Sequence, residues 1–437
     1  MGAVAHLLDD LQWRGLISTS TDLAAIRTLL DSGPTTLYCG FDPTAPSLHL
    51  GNLAQILTMR RFQLTGHRPL ALVGGATGLI GDPKSTGERQ LNEVELVNGW
   101  VDRIGQQLAR FYDFDGTNAA LLVNNYAWTA QLSAIQLLRD LGKHFSVNRM
   151  LDREAVAARL AANGISYTEF SYQVLQANDY LELHRRYGCS LQTGGSDQWG
   201  NIVAGVDLVR RVTGQTVHAV TTPLITKADG TKFGKTESGT VWLDPELTTP
   251  YAFYQFWINV DDRDVGTMLR TFSFADREQI TALDDQTATA PHARAAQRYL
   301  ARELTTLVHG ESEADAVEFA AMALFGRESL HELDPSTLAA ALSETQVADI
   351  AWSDGELPTV VDLAMATGLA ASRGAARRAI AEGGLYLNNE RVTTDDQRPT
   401  PANILPGGWI VLRRGKKSIA AARVGERPAT ELSLVNR

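Results

Sequence analysis

Short continuous apolar runs alternate with longer stretches of helical spacing through the first half of the chain. The runs at residues 35–41, 70–73 and 121–123 have the length and composition of buried β-strands. Leucines at helical spacing follow the first run, and residues 91–111 form another helical stretch. This alternation predicts an α/β protein with a Rossmann-like, doubly wound parallel sheet, whose ligands bind at the carboxyl ends of the strands.

The pattern changes in the second half of the chain. Residues 250–343 are helical and alanine-rich, whereas residues 352–358 lack periodicity and end in proline. Two short helices, a hairpin turning at Asn388-Asn389 and a strand near residues 409–412 follow. These changes predict a catalytic domain (1–248), a helical domain (249–345), a linker (346–356) and a small α+β domain (357–437).

Composition narrows the class of protein. The 437 residues are 44% hydrophobic, which is enough for more than one core. Cys39 and Cys189 are too few and too far apart for a disulfide framework or a zinc site. The N-terminus lacks a basic region followed by an apolar run, and no stretch is long enough to span a membrane. We therefore expect a cytoplasmic protein with free thiols and no membrane partner.

Charge is unevenly distributed along the chain. The net charge is −10, but residues 357–437 contain 12 basic and 7 acidic side chains, a net of +5. The remainder must then carry −15. An acidic body with a basic tail predicts that the tail alone contacts a polyanion.

Two motifs predict a nucleotide site. His49-Leu-Gly-Asn52 opens a helix directly after a strand, where backbone donors and the helix dipole favour an anion, and Gly51 lets a flat ring approach. Lys232 and Lys235 lie in a glycine-rich loop that could close over a polyphosphate. Taken singly, each motif also fits a solvated surface. Together they indicate nucleotidyl transfer, and residues 74–84 lack Walker spacing.

Four segments resemble the bacterial tyrosyl-tRNA synthetases, and the likeness covers nearly the whole chain. They are residues 36–44 (TLYCGFDPT), 71–83 (ALVGGATGLIGDP), 194–201 (GGSDQWGN) and 227–236 (KADGTKFGKT). The resemblance implies a class I enzyme that activates L-tyrosine with ATP and transfers it to tRNA(Tyr). It also implies a homodimer and Mg²⁺ accompanying ATP, and we expect no permanent metal or organic cofactor.

The resemblance assigns a role to each matched position. The tyrosine-binding set is Tyr38, Asp82, Tyr172, Gln176, Asp179 and Gln198. The ATP-binding set is Cys39, Asp42, Gly51, Asn52, Gly195, Asp197 and Lys235. The catalytic set is Thr44, His49, Lys232, Lys235 and Thr236. Tyr172, Gln176 and Asp179 are spaced to share one helix face.

One position departs from the family pattern. Asn52 stands where the first motif often ends in histidine. Because an asparagine amide still donates hydrogen bonds, we expect its contact with the ATP ribose to persist.

The tail resembles an RNA-binding domain shared with a small-subunit ribosomal protein, the alpha-L type. The residues expected to bind tRNA are Arg373, Arg377, Arg378, Arg414 and Lys417.

Three other functions fit parts of the pattern. Tryptophan activation is disfavoured because an indole offers no hydroxyl for Tyr38 and Asp179. A non-catalytic RNA-binding descendant, such as a splicing factor, would have eroded ATP motifs. A small-molecule nucleotidylyltransferase would not need the basic tail.

Overall fold

A computed structural model describes residues 6–83, 91–162, 164–231, 233–236, 239–326, 328–353, 355–415 and 418–425, with the backbone alone at 154, 155, 235 and 236. The chain divides into two compact units, Met1–Leu247 with Val260–Ala296, and Thr248–Asn259 with Gln297–Arg437. The prediction ended the first domain at residue 248, whereas residues 260–296 belong to the first unit and residues 248–259 to the second. Among the described residues, no helix combines the length and apolarity that a membrane crossing needs.

The helices follow in chain order. They are α1 (Leu7–Trp13), α2 (Leu23–Asp31), α3 (Leu50–Leu64), α4 (Thr77–Ile80), α5 (Val94–Leu108), α6 (Tyr126–Thr129), α7 (Ala134–Gln136), α8 (Val147–Leu151), α9 (Glu154–Ala162), α10 (Tyr167–Tyr187), α11 (Trp199–Thr213), α12 (Pro250–Ile258), α13 (Asp262–Phe272), α14 (Arg277–Thr289), α15 (Ala295–His309), α16 (Glu311–Leu324), α17 (Pro335–Ser343), α18 (Val360–Ala366) and α19 (Arg373–Ala381). Short 3-10 or π turns occur at Leu137–Leu141, Gly142–His144, Ser196–Gln198, Pro291–Ala293, Leu330–Glu332 and Pro401–Asn403.

The strands form two larger sheets and a short hairpin. They are β1 (Thr19–Ser20), β2 (Thr36–Phe41), β3 (Arg68–Val73), β4 (Leu121–Asn124), β5 (Leu191–Gly195), β6 (His218–Thr222), β7 (Lys235–Thr236), β8 (Gly239–Thr240), β9 (Gln346–Ile350), β10 (Leu385–Leu387), β11 (Glu390–Arg391), β12 (Trp409–Arg414) and β13 (Ser418–Val424).

The first unit is built on a six-stranded sheet of order β1-β6-β5-β2-β3-β4. All neighbours are parallel except β1, which pairs antiparallel with β6. The predicted doubly wound parallel sheet is therefore confirmed. The chain runs outward from β2 through β3 to β4, and returns on the other side through β5 to β6. At such a reversal, open α/β sheets hold ligands in a crevice outside the carboxyl ends of the strands, which here are β2 and β5.

Helix α10 closes one face of this sheet and has clear local causes. Ser166 caps its N-terminus by accepting a hydrogen bond from the Glu169 N–H, and Gly188 ends it in the left-handed conformation at φ 65°. Its buried residues pack with β2 and β3 in a core that includes Tyr38 and Tyr180. The helix can therefore present side chains to the strand ends.

The second unit ends in a five-stranded sheet of order β11-β10-β12-β13-β9, against which α18 and α19 pack. Asn388 and Asn389 have φ values of 46° and 69°, the left-handed pair that a two-residue hairpin turn requires. The predicted hairpin is thus confirmed.

The predicted linker over residues 346–356 is wrong for its first five residues. Gln346–Ile350 forms β9, which pairs parallel with β13 from Gln346↔Ala420 to Ile350↔Val424. Only Ile350 of this edge strand is buried. A strand exposed at three of five positions lacks the apolar alternation that would have identified it.

Candidate active site

The described residues of the tyrosine-binding set gather where β2 and β5 end. Tyr38 lies on β2, Asp82 follows α4, and Gln198 ends the short turn after β5. Helix α10 contributes the other three members, as the helical spacing predicted. The parallel sheet and one helix face therefore converge on one crevice.

Asp179 is one of the buried members of this group, and the residue is only 1% exposed. Its Oδ2 accepts a hydrogen bond from Asn125 Nδ2 at 2.9 Å, and its Oδ1 accepts one from Trp128 Nε1 at 2.8 Å. Burial raises the pKa of Asp179 to about 7, although the two donors act in the opposite direction.

Tyr38 lies beside this carboxyl group. Its ring packs edge-on against Tyr180, with centroids 5.1 Å apart, and the residue is 1% exposed. Burial, with a smaller contribution from the Asp179 charge, raises the pKa of Tyr38 well above its ordinary value. Among the described residues, neither the Tyr38 hydroxyl nor Gln176 Oε1 has a hydrogen-bond partner, although both atoms are buried. Buried polar atoms of this kind fit a polar ligand.

A second group surrounds Asp82. Its Oδ2 accepts from Gln198 Nε2 at 3.0 Å and its Oδ1 from Asn201 Nδ2 at 3.2 Å. Arg153 Nη2 lies 3.9 Å from the same Oδ1, and burial lowers the pKa of this arginine. Asp82 and Gln198, both members of the predicted tyrosine-binding set, are therefore in direct contact.

Asp42 joins the tyrosine-binding residues. Its Oδ2 accepts from the Tyr172 hydroxyl at 2.6 Å, and its Oδ1 accepts from Thr77 Oγ1 at 2.6 Å. A Cβ on Gly74 would lie 2.0 Å from Asp42 Oδ1, so glycine is required there. Asp42 was assigned to ATP, and its carboxylate accepts a hydrogen bond from Tyr172, a member of the tyrosine-binding set.

The N-terminus of α3 carries the first ATP motif. His49 Nδ1 accepts from the Gly51 N–H at 3.1 Å, and Asn52 Oδ1 accepts from the His49 N–H at 3.1 Å. These reciprocal bonds form a capping box. A Cβ on Gly51 would lie 2.9 Å from His49 Cε1, so a side chain here would displace the imidazole.

The loop of the second ATP motif lies against this helix end. The Leu50 N–H donates to the Val241 carbonyl at 3.2 Å, and the His49 and Trp242 rings are 6.1 Å apart. Gly234, at φ 81°, lies so close that an added Cβ would be 3.2 Å from Leu50 Cβ. The backbone of β7 and β8 is thereby brought beside α3.

The remaining members of the ATP and catalytic sets differ in how far the structure describes them. Lys232 lies outside the described residues, and Lys235 and Thr236 are described only as the backbone of β7. Thr44 and Asp197 are exposed at the rim. An added Cβ on Gly195 would lie 2.5 Å from Asp197 Oδ1.

Cys39 is buried in β2, and burial raises the pKa of its thiol to about 12. The thiol is therefore neutral near pH 7.

Sequence reasoning missed several contacts in this site. Asn125 directly follows β4, so its position at a strand end was visible, but no role was inferred from it. Trp128 and Arg153 carried no local signal, because only the tertiary fold brings them to Asp179 and Asp82. Asn201 ends the matched segment 194–201, but no role was inferred for it.

The predicted tRNA-binding arginines are at the surface of the second unit, but their partners differ. Arg373 pairs with Asp362 at 2.5 Å and Arg377 with Asp395 at 2.9 Å. Arg378 is exposed, and Arg414 Nη1 donates to the Leu369 carbonyl at 3.3 Å. Lys417 lies outside the described residues. Two of the five predicted cations thus have an acidic neighbour.

Fold and site together define a class I aminoacyl-tRNA synthetase. The family model for class I tRNA synthetases of the tryptophan and tyrosine group matches residues 30–326. The model for the C-terminal domain of SYY-like tyrosine–tRNA ligases matches residues 341–421.

Individual relatives narrow the family. The chain is 61% identical over 423 residues to a tyrosine–tRNA ligase of Streptomyces avermitilis, covering 96% of this chain and 99% of that protein. A tyrosine–tRNA ligase of Corynebacterium glutamicum is 57% identical over 420 residues, covering 96% and 99%. A crystal structure of a C-terminally truncated mitochondrial tyrosyl-tRNA synthetase of Aspergillus nidulans superposes with a TM-score of 0.67 at 29% identity, covering 74% and 95%. The chain belongs to the tyrosine–tRNA ligase family.

Proposed function

We propose that the crevice at β2, β5 and α10 binds tyrosine and that the N-terminus of α3 and the lysine loop bind ATP. As a member of its family, the chain is an aminoacyl-tRNA synthetase. It activates L-tyrosine with ATP to tyrosyl-adenylate and pyrophosphate, and transfers tyrosine to tRNA(Tyr).

The buried hydroxyl of Tyr38 beside the Asp179 carboxyl group is the observation that carries the proposed tyrosine site. The substrate phenol donates a hydrogen bond to Asp179 and accepts one from Tyr38. Asn125 and Trp128 hold the Asp179 carboxylate in place. An amino acid without the phenolic hydroxyl leaves these buried groups unpaired, which is costly.

The α-ammonium group of tyrosine binds at the other end of the crevice. Asp82 supplies a carboxylate, and Tyr172 and Gln176 supply neutral acceptors. The bond from Gln198 to Asp82 orients that carboxylate, and the unpartnered Oε1 of Gln176 supports this assignment. The tyrosine carboxylate then points toward α3.

Adenylate formation needs no protein nucleophile. The tyrosine carboxylate attacks the α-phosphorus of ATP in line and displaces pyrophosphate. His49 and Thr44, with Lys232, Lys235 and Thr236, stabilise charge on the phosphates during transfer. The positions proposed to hold the nucleoside and its ribose are Cys39, Asp42, Gly51, Asn52, Gly195 and Asp197. Mg²⁺ comes with ATP as the counter-ion of its phosphates.

The basic tail binds tRNA. Its net charge of +5 against an acidic remainder supports this role. We assign phosphate contacts to Arg373, Arg377, Arg378, Arg414 and Lys417. Arg373 and Arg377 must exchange their acidic partners for phosphate, so Arg378 and Arg414 should contribute more per residue.

A second copy of the chain covers an apolar surface of the first unit. Large apolar side chains are exposed between residues 122 and 167, including Ile135 at 67% and Tyr167 at 69%. The others are Leu122, Tyr126, Leu138, Val147 and Leu160. Such a concentration fits a protein interface, and we propose that it is the homodimer contact. The two buried free thiols support a cytoplasmic location.

Replacing Lys235 by alanine tests the phosphate assignment. The kcat of adenylate formation should fall by about 10²-fold or more, because a charge contact made mainly in the transition state is lost, while tyrosine binding stays unchanged. Lys227→Ala in the same loop is the matched control. Wild-type kcat in Lys235→Ala, in Lys232→Ala and in the double variant would refute the assignment.

A further inference from the structure

Helix α13 contacts the loop that leads to the lysines. Asp264, in the first turn of α13, is 7% exposed, and its Oδ1 accepts a hydrogen bond from the Ala228 N–H at 2.7 Å. A bond to an ionised acceptor is stronger than one between neutral groups. The first turn of a helix also favours a carboxylate. Asp264 therefore ties the beginning of the loop to a fixed element.

A second contact holds the loop beyond Lys232. The rings of Phe233 and Phe272 lie 6.1 Å apart, and Phe272 is the last residue of α13. The Phe233 N–H also donates to the Ile225 carbonyl at 3.1 Å. Ala228 and Phe233 flank Lys232 in the sequence, so α13 contacts the chain on both sides of that residue.

The other end of α13 is bound to the helix that carries His49. Arg61, near the end of α3, is almost fully buried, and its Nη2 donates to the carbonyls of Thr271 at 3.1 Å and Ser273 at 2.7 Å. Arg14 donates to the Ser273 carbonyl at 3.0 Å as well. Cationic side chains at these carbonyls satisfy the C-terminus of α13.

We propose that α13 braces the lysine loop against α3, and that Asp264 is the positioning residue that sets the loop lysines relative to His49 for nucleotidyl transfer. This inference rests on the proposed phosphate role of the lysines. Asp264 itself does not contact substrate and acts through the Ala228 backbone. Because transition-state stabilisation depends on preorganised geometry, a displaced loop should slow the chemical step without weakening tyrosine binding.

Three variants of Asp264 test the brace. Asp264→Ala removes the acceptor and should lower the kcat of adenylate formation by up to about 10²-fold, with the Kd of tyrosine unchanged. Asp264→Asn keeps an acceptor oxygen at the same distance and should recover most of the rate. Asp264→Glu keeps the charge but shifts the acceptor by one methylene, so its kcat should also fall. Glu278→Ala, which changes an exposed acid in the first turn of α14, is the control and should keep the wild-type kcat.

Thermal unfolding of each variant and parallel kinetics of Lys235→Ala separate the possible outcomes. A wild-type kcat in the folded Ala or Glu variant would overturn the brace, and so would an equal loss of tyrosine affinity. If the Ala variant fails to fold, the Glu variant decides. If Lys235→Ala is slow but the Asp264 variants are not, only the brace fails. If Lys235→Ala is itself unaffected, the proposed phosphate site fails first.

Discussion

Asp179 receives two fixed hydrogen bonds from neighbouring side chains and still has lone pairs for a third donor. Asn125 and Trp128 occupy one oxygen each. Tyr38 adds a buried hydroxyl that, among the described residues, has no partner. We propose that discrimination against phenylalanine follows from the cost of leaving these buried groups unpaired.

Conservative replacements of this pair should narrow substrate discrimination. In Tyr38→Phe and Asp179→Asn, we expect the ratio of kcat/KM for tyrosine over phenylalanine to fall, because each change removes one partner of the phenol. Tyrosine-specific synthetases as a class discriminate by about 10⁵, a value taken from the class and not from this structure. Steady-state pyrophosphate exchange with both amino acids measures the ratio. A ratio that is unchanged in both variants would contradict the assignment.

Tyrosine binding should depend on pH near neutrality. Burial raises the pKa of Asp179 to about 7 in the ligand-free protein, so the carboxyl group is protonated below that pH. The ionised carboxylate of Asp179 accepts a hydrogen bond from the phenol, so tyrosine affinity should rise as pH increases through about 7. Titration of tyrosine binding between about pH 5.5 and 8.5 tests this, and Asp179→Asn should show a flatter profile. A flat profile in the wild type would refute the dependence of tyrosine binding on the ionisation of Asp179.

The raised pKa of Asp179 also determines whether this residue makes the protein more or less stable as pH rises. The pKa of Asp179 in the folded protein lies above 3.8, the ordinary value of an aspartate, so the folded state binds a proton more tightly than the unfolded state. Asp179 therefore contributes less stability as pH rises from about 4 through about 7.

The sequence predicted some features of the site and did not predict others. The spacing of Tyr172, Gln176 and Asp179 predicted a shared helix face, and α10 has that helical span. The contact of Trp128 with Asp179 could not be foreseen, because the residues are 51 positions apart and meet only in the folded protein. The bond between Asp42 and Tyr172 spans 130 positions and was missed for the same reason.

At the scale of elements, Asn52 has a structural role that the family pattern did not suggest. Its amide oxygen completes the capping box of α3. The side chain thus has one acceptor committed to the helix and an amide group that can donate to a ribose. We propose that Asn52 combines the capping of α3 with a contact to the ATP ribose.

Two replacements at residue 52 separate these roles. Asn52→Ala should lose about 1 kcal/mol of unfolding free energy and also ATP affinity, because both the cap and the donor are removed. Asn52→Asp keeps the acceptor, so it should retain stability while still losing ATP affinity. Chemical denaturation and ATP titration measure the two effects. An unchanged unfolding free energy in Asn52→Ala would show that the cap contributes nothing.

Elements with a strong apolar pattern were predicted, and weakly patterned ones were not. Strands β2 and β3 are inside the sheet and mostly buried, and they gave continuous apolar runs. Strand β4 is at the edge of the sheet with one buried residue, but its sequence is still an apolar run. Strand β1 has two residues, and β9 buries one side chain, so neither leaves a periodic signal. Strands β1 and β9 pair with strands that are distant in the sequence, so the local pattern does not predict them.

At the scale of the whole molecule, the described residues that we assign to tyrosine and ATP lie in the acidic remainder of the chain, while the basic excess lies in the tail. The position of β9 within the tail sheet changes where a truncation should be made. Cutting before residue 357 would leave β9 without β13. Cutting before residue 346 removes the complete sheet.

Removal of residues 346–437 should separate the two half-reactions. Adenylate formation should stay near wild type, whereas tRNA charging should fall steeply, because several phosphate contacts are lost together. In the full chain, Arg378→Ala and Arg414→Ala should each lower the salt slope of tRNA binding by about one unit. Filter binding at several salt concentrations and charging assays measure these effects. Full charging by the truncated protein would show that tRNA is bound elsewhere.

Amino-acid-dependent exchange of pyrophosphate into ATP tests the central claim most directly, because it reports adenylate formation for each amino acid without tRNA. The full chain should support rapid exchange with tyrosine and far slower exchange with phenylalanine or tryptophan. Comparable exchange with either of those amino acids, or no exchange with tyrosine, would contradict the assignment of the β2, β5 and α10 crevice to tyrosine.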